Sequence, residues 1–241
     1  MNSTNHIKAV FFDLDGTLRH NVPTGDQILN EYLIELGLNF TAQDHMNAMR
    51  WEYRYWANSA DLRDDIIAHS ADTENFWIEY TRRRLLSLNL LPQQAVELAP
   101  KVSAHMGETY KPDSIIPEDV RRVLPELKQA GYIMAVISNR DKPFQETLEE
   151  HGISEFFSFS LAGGEVDSYK PEPGIFEHAL RRVDVSAQEA IYVGDNYYAD
   201  VIGSRRAGLQ PVLYYPNMIF PDADCATIKS FEELISVIKV I

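Results

Sequence analysis

The chain has 241 residues, 45% of them hydrophobic and 24% charged, and its 12 Gly and 12 Pro are ordinary counts, which excludes disorder, collagen-like repeats and low complexity. Its 36 acidic residues against 22 basic ones give a formal charge of −14, a field that repels phosphate backbones and anionic bilayers, so neither nucleic acid nor a membrane surface is an expected partner. Cys225 is the only cysteine and excludes an internal disulfide or a cysteine-based zinc site; with no apolar signal region over Met1–Ile7 and no apolar run of about 18 residues, the expectation is a soluble, cytoplasmic protein.

The first predicted element is a strand over Ile7–Phe12, apolar and rich in β-branched and aromatic residues, ending abruptly in charges and Gly16. From Arg19 to about Tyr110 no strand is predicted. Four or five helices are expected there: Thr24 with Gln27 caps the first, Thr41 opens the second, a third group covers Thr73–Leu88, and Pro92 starts the last. In the second, Met46, Met49, Tyr53 and Trp56 share a helical face and are read as core of this helical module. Two prolines mark Lys111–Pro117 as the return hinge. Strands are then predicted at Tyr132–Ile137, Phe157–Leu161, Ala190–Val193 and Pro211–Tyr215. Between them, Gly131 stops one helix, and Asp141 with Pro143 opens another that closes at Gly152. Ser186 with Glu189 and Ser230 with Glu233 read as capping boxes. Strands alternating with helices mean parallel β-α-β units, hence an α/β fold with a doubly wound, Rossmann-like parallel sheet and an inserted all-helical domain. The expected division is a core of residues 1–18 and 111–241 with the insertion at 19–110.

Chemistry concentrates at the ends of the predicted strands. Asp13 and Asp15, two residues apart on an extended segment, point the same way, and such crowding is costly unless a cation binds or one carboxyl takes a proton. The second sheet strand ends in Ser138-Asn139, the third is followed by Lys170-Pro171, and the fourth ends in Gly194-Asp195 with Asp200 five residues on. Each alone reads as a turn, a cap or a surface lysine. Together they deliver three acids, a lysine and a hydroxyl to one edge of the sheet, where open α/β sheets bind ligands. That set suits Mg²⁺ with a phosphoryl group, since Mg²⁺ prefers a few carboxylates with water and phosphate oxygens completing its octahedron.

On these motifs the chain resembles the haloacid dehalogenase superfamily, in its phosphatase branch with a helical cap inserted after the first core strand. Asp13-x-Asp15-Gly16-Thr17, Ser138-Asn139, Lys170-Pro171 and Gly194-Asp195 with Asp200 match that family's four signatures in order. The resemblance implies a Mg²⁺-dependent phosphomonoester hydrolase acting on a small phosphorylated metabolite through an aspartyl-phosphate. Asp13 is then the nucleophile and Asp15 the general acid and later base, with Lys170 as the third catalytic residue. Thr17, Ser138, Asn139 and Lys170 form the expected substrate-binding set. Asp13, Asp15 through its backbone carbonyl, and Asp195 are the expected metal ligands, with Asp200 supporting them.

Alternatives stay open. A phosphomutase keeps both acids, a 2-haloacid dehalogenase has no need of a proton donor at Asp15, and a binding protein retaining the fold would be expected to have lost a nucleophile or ligand. Arg50 and Arg54, one helical turn apart, and Arg19 and His20, just past the catalytic loop, are candidates for tuning substrate choice; solvent exposure is the plain reading of each. Arg82-Arg83-Arg84 is expected to be a solvated helix face, Gly163-Gly164 a turn, and the remaining histidines show no ligand spacing. Neither the particular ester nor the oligomeric state is legible.

Overall fold

The computed structural model describes residues 7–216 and 218–241. Among these, the strands are β1 (Ala9–Phe12), β2 (His20–Val22), β3 (Asp113–Ile115), β4 (Ile133–Ser138), β5 (Phe159–Ala162), β6 (Ala190–Gly194), β7 (Gln210–Tyr214) and β8 (Ala226–Ile228). Six of them build one sheet in the order β5-β4-β1-β6-β7-β8, each neighbouring pair parallel. β2 and β3 form a separate two-stranded sheet. Connections from β1 run toward β4, and those from β6 run the other way toward β7, so the topological switch falls between β1 and β6.

β1 is buried along its whole length, and its side chains alternate between two cores. Val10 and Phe12 pack with Val136, Ile191 and Val193 under Val120, Val123, Leu124 and Leu127 of the helix Glu118–Gln129. Ala9 and Phe11 pack on the other face with Ala135, Ile137 and Tyr192, under Ile175, Phe176, Ala179 and Leu180 of the helix Pro173–Val183. Burial on both faces is what makes these strands near-continuous apolar runs, and it makes the fold α/β and doubly wound. No described helix is long and apolar enough to cross a membrane.

The chain divides into two compact units: Asn21–Ser114, and Ile115–Ile241 together with the chain up to His20. The first holds five helices among the described residues: Gly25–Glu35, Ala42–Trp56, Ala60–Ala68, Thr73–Ser87 and Pro92–Thr109. Reciprocal hydrogen bonds close capping boxes at Thr24/Gln27 and at Thr41/Asp44. The core of this unit is Leu29, Leu33, Ala48, Leu85, Leu88, Ala95, Ala99 and Val102.

Several expectations need correction here. In Ala42–Trp56 the buried residues are Ala48 and Tyr55, with Trp51 stacked on Tyr55, whereas Met46, Met49 and Tyr53 are half-buried and Trp56 is exposed. The inward face follows the seven-residue step from Ala48 to Tyr55, and a small residue there lets a neighbouring helix approach. Arg82–Arg84 is no solvated face. Arg82 is doubly bonded to Glu79, Arg83 pairs with Asp61, Asp65 and Glu79, and Arg84 is buried against Asp26 at 2.6 Å and Glu52 at 3.3 Å. Acids on other helices of the unit draw in Arg83 and Arg84, while Glu79 on the same helix holds Arg82. Ser230 caps by accepting from Glu232 N and donates to Asp119, while Glu233 accepts from Lys229 N, so the second capping box does not close. The helix after β4 starts at Gln145 rather than at Asp141, and Gly163-Gly164 open a short helix, Gly163–Val166. Gly164 is there because a Cβ would meet the Asp141 carbonyl oxygen at 2.0 Å.

Candidate active site

Strand pairing places the key residues. Phe12 is in register with Val136 of β4 and Val193 of β6, and Asp13 N donates to the Val193 carbonyl at 2.9 Å. Asp13, Ser138 and Asp195 therefore stand at the carboxyl ends of β1, β4 and β6, on both sides of the switch point. Asp200 comes from the short π-helical segment Tyr197–Val201 after β6. One carboxylate oxygen each from Asp13, Asp195 and Asp200 all lie within 4.8 Å of one another.

Lys170 enters this cluster from the loop after β5. It is buried, and its three ammonium donors go to Asp13 Oδ1 at 2.5 Å, Asp200 Oδ1 at 2.7 Å and the Tyr192 hydroxyl at 3.0 Å. Tyr192 in turn donates to the Ile137 carbonyl at 2.8 Å. Burial works against the Lys170 charge, but Asp13 and Asp200 outweigh it and hold the ammonium protonated, well above its ordinary range. The Asp13 carboxyl is pushed upward by burial and by the charges of Asp200 and Asp195, with Lys170 opposing. Three carboxylates face one ammonium, a local deficit of two positive charges. A dication bound by Asp13 and Asp195 would supply them, so this donor set fits Mg²⁺.

Two glycines make the approach of the acids feasible. Gly16 has φ +93°, and a Cβ on it would lie 2.4 Å from Asp195 Oδ2; a Cβ on Gly194 would lie 2.3 Å from the Asp200 carboxylate. Both Asp200 oxygens are already used, Oδ1 by Lys170 and Oδ2 by Asn196 N at 2.9 Å, which makes Asp200 a brace for its neighbours.

Two of the expected substrate-binding residues, Thr17 and Asn139, have their side chains bonded to protein groups. Thr17 is wholly buried, its hydroxyl donating to Asp195 Oδ1 and accepting from Asp195 N, both at 3.0 Å. Its hydroxyl is thus spent on both sides in fixing Asp195. Asn139 accepts from Lys170 N at 2.6 Å and donates to Lys170 O at 2.8 Å, so its amide orients the lysine backbone. Ser138 is buried at the tip of β4.

Asp15 stands apart from the acid cluster. Arg140 grips it with Nε on Oδ2 at 2.9 Å and Nη2 on Oδ1 at 3.0 Å, and Arg19 pairs with Oδ1 as well. Burial alone would raise the Asp15 carboxyl, but the Arg140 hydrogen bonds and the charges of both arginines win and hold it below its ordinary value. His20 is half-buried, edge-on to Tyr214, with Nε2 3.1 Å from the Thr17 carbonyl; burial lowers its proton affinity. Arg50 is half-buried and Arg54 exposed on their helix. Tyr192 and Arg140 are not among the site residues expected from the sequence. Their signals were a tyrosine in the middle of an all-buried strand and an arginine directly after Ser138-Asn139.

A family model described as haloacid dehalogenase-like hydrolase matches residues 7–208. The chain belongs to the haloacid dehalogenase-like hydrolase family. Within this family it is 29% identical over 207 residues to a phosphoglycolate phosphatase of Vibrio cholerae, spanning 84% of this chain and 81% of that one. It is 30% identical over 214 residues to a ribulose-1,5-bisphosphate 5-phosphatase of Halopiger xanaduensis, spanning 87% and 85%. Its fold is shared with a 2-haloacid dehalogenase of Pseudomonas syringae (TM-score 0.56, 24% identity, 97% of this chain and 99% of that one). This haloacid dehalogenase-like hydrolase is thus an enzyme grouped by sequence with phosphatases and by fold with the wider family.

Proposed function

We propose that this protein is a Mg²⁺-dependent phosphomonoesterase for a small phosphorylated metabolite, working through a covalent phosphoryl ester on Asp13. The observation that carries this reading is the convergence of Asp13, Asp195 and Asp200 around the saturated ammonium of Lys170. Phosphatases among its relatives support the same class of reaction. Mg²⁺ held by Asp13, Asp195 and the Asp15 backbone carbonyl would supply positive charge against the phosphoryl oxygens.

In the first half-reaction an Asp13 oxygen bonds to phosphorus as the bond from phosphorus to the alkoxy oxygen breaks, and Asp15 gives that oxygen a proton. In the second, Asp15 removes a proton from water, which attacks phosphorus and returns Asp13 with inorganic phosphate. The lowered Asp15 carboxyl suits its part as base in the second step, which leaves it carrying the proton that the first step of the next cycle spends. Lys170 keeps Asp13 oriented and offsets charge on the phosphoryl group, and Ser138 binds a phosphoryl oxygen. Asp15 also argues against a dehalogenase, which has no leaving group to protonate.

The test is phosphate release from p-nitrophenyl phosphate by the purified protein. Turnover should vanish with chelator, return with Mg²⁺, and fall by at least about 10³-fold in Asp13→Asn while the circular dichroism spectrum is unchanged. Metal-independent turnover, or full activity in that variant, would overturn the reading.

A further inference from the structure

We propose that Tyr192 is a positioning residue whose hydroxyl occupies the third donor of Lys170 until a phosphoryl oxygen displaces it. The inference rests on the function proposed above, in which Lys170 offsets charge on the phosphoryl group, and it names how that lysine comes by a free donor.

An ammonium has three N–H groups. Those of Lys170 go to Asp13 Oδ1 at 2.5 Å, Asp200 Oδ1 at 2.7 Å and the Tyr192 hydroxyl at 3.0 Å, and the whole residue is buried. A phosphoryl oxygen is therefore a fourth acceptor for three donors. One of the present partners must let go when it arrives.

The three partners are unequal. Asp13 and Asp200 accept as charged groups, and such hydrogen bonds are about twice as strong as neutral ones. Release of Asp200 Oδ1 would leave a buried carboxylate oxygen without its cation, because Oδ2 is already held by Asn196 N at 2.9 Å. Release of Asp13 would loosen the nucleophile just as phosphorus approaches it. Tyr192 differs from both. Burial keeps its phenol protonated, so the hydroxyl is neutral and goes on donating to the Ile137 carbonyl at 2.8 Å. Losing the lysine removes one accepted bond, the longest of the three, and leaves no donor unpaired. Nor can the hydroxyl follow a departing ammonium. Tyr192 sits in the middle of β6, in register with Phe11 and Pro211, and its buried ring packs edge-on to Phe176 with centroids 4.9 Å apart. A fixed, neutral acceptor thus holds the empty site in order and yields at the lowest cost.

The first test is inhibition of p-nitrophenyl phosphate hydrolysis by inorganic phosphate at saturating Mg²⁺, in the wild type and in Tyr192→Phe. The variant keeps the ring, whose centroid lies 5.4 Å from Lys170 Nζ, and removes only the competing acceptor. Its inhibition constant for phosphate should fall about two- to tenfold, since no bond to the lysine has to break first. KM for the ester should fall with it, while kcat should not rise. A merely structural loss would leave phosphate binding unchanged or weaker, and either result in a variant with the wild-type circular dichroism spectrum would overturn the inference. The second test needs no variant. In a crystal structure of the wild type with Mg²⁺ and inorganic phosphate, the distance from Lys170 Nζ to the Tyr192 hydroxyl should open beyond about 3.5 Å while Asp200 keeps its bond to the lysine. A Tyr192 contact retained there would overturn the inference whatever the variant does. With wild-type turnover intact, these contrary results remove this inference alone; no phosphate released by the wild type would remove the proposed function and this inference with it.

Discussion

Thr17 shows how much of this site depends on one buried hydroxyl. It both donates to Asp195 Oδ1 and satisfies Asp195 N, so the carboxylate that faces the cation position has its rotamer fixed from behind. Outer contacts of this kind typically set metal affinity by 10- to 100-fold. Thr17→Val keeps the volume and removes both bonds to Asp195. The expected outcome is a half-saturating Mg²⁺ concentration raised about tenfold or more, with kcat at saturating Mg²⁺ much less affected. A titration of phosphate release against Mg²⁺ reads both; an unmoved midpoint would count against this role for Thr17.

At the scale of elements, the turn ahead of β6 ties two central strands together. Lys8 N donates to the Glu189 carbonyl at 2.7 Å, and Lys8 Nζ pairs with Glu189 Oε1 at 2.5 Å. The Glu189 side chain also closes a capping box with Ser186 N and Oγ. Lys8 first, and then Ser186, hold this carboxyl down to about 2 from its ordinary 4.5. A carboxyl depressed by folding stabilises the native state above its unfolded value, and that contribution is lost as the pH falls from about 4.5 through 2. Glu189→Gln should therefore melt lower than wild type at pH 6–7, and the gap should narrow below about pH 4.5 and close only at about pH 2 and below. Melting curves across that range check it, and a gap that stays constant with pH would refute it. The same scale shows what the sequence made legible. The five main strands were visible because burial on both faces leaves unbroken apolar runs, and the strand-tip acids, Ser138 and Lys170 followed from where those runs stop. β8 is three residues long and carries no such run. The Met46/Met49/Tyr53/Trp56 stripe misled because helical spacing groups residues by face without saying which face is covered; the covered face is the one that carries Ala48 and Tyr55. Tyr192 and Arg140 were missed because their roles depend on Lys170 and Asp15, 22 and 125 positions away.

For the whole molecule, two electrostatic effects of added salt must be separated. A net charge of −14 makes the compact state self-repelling, so any electrolyte should stabilise it by screening. Mg²⁺ adds a specific term, because Asp13, Asp195 and Asp200 come together only in the folded chain. At about 100 times its dissociation constant a ligand of the native state contributes about 2.7 kcal/mol. For a protein of this size that corresponds to a rise in Tm of about 5–10 °C. The expected result is a Tm in Mg²⁺ higher by this margin than in NaCl of matched ionic strength, with the difference abolished in Asp195→Asn. All three carboxylates belong to the sheet-bearing unit, so any separate transition of Asn21–Ser114 should not move. Equal Tm values in the two salts would mean that screening alone acts, and the acid cluster would then have no claim to a cation.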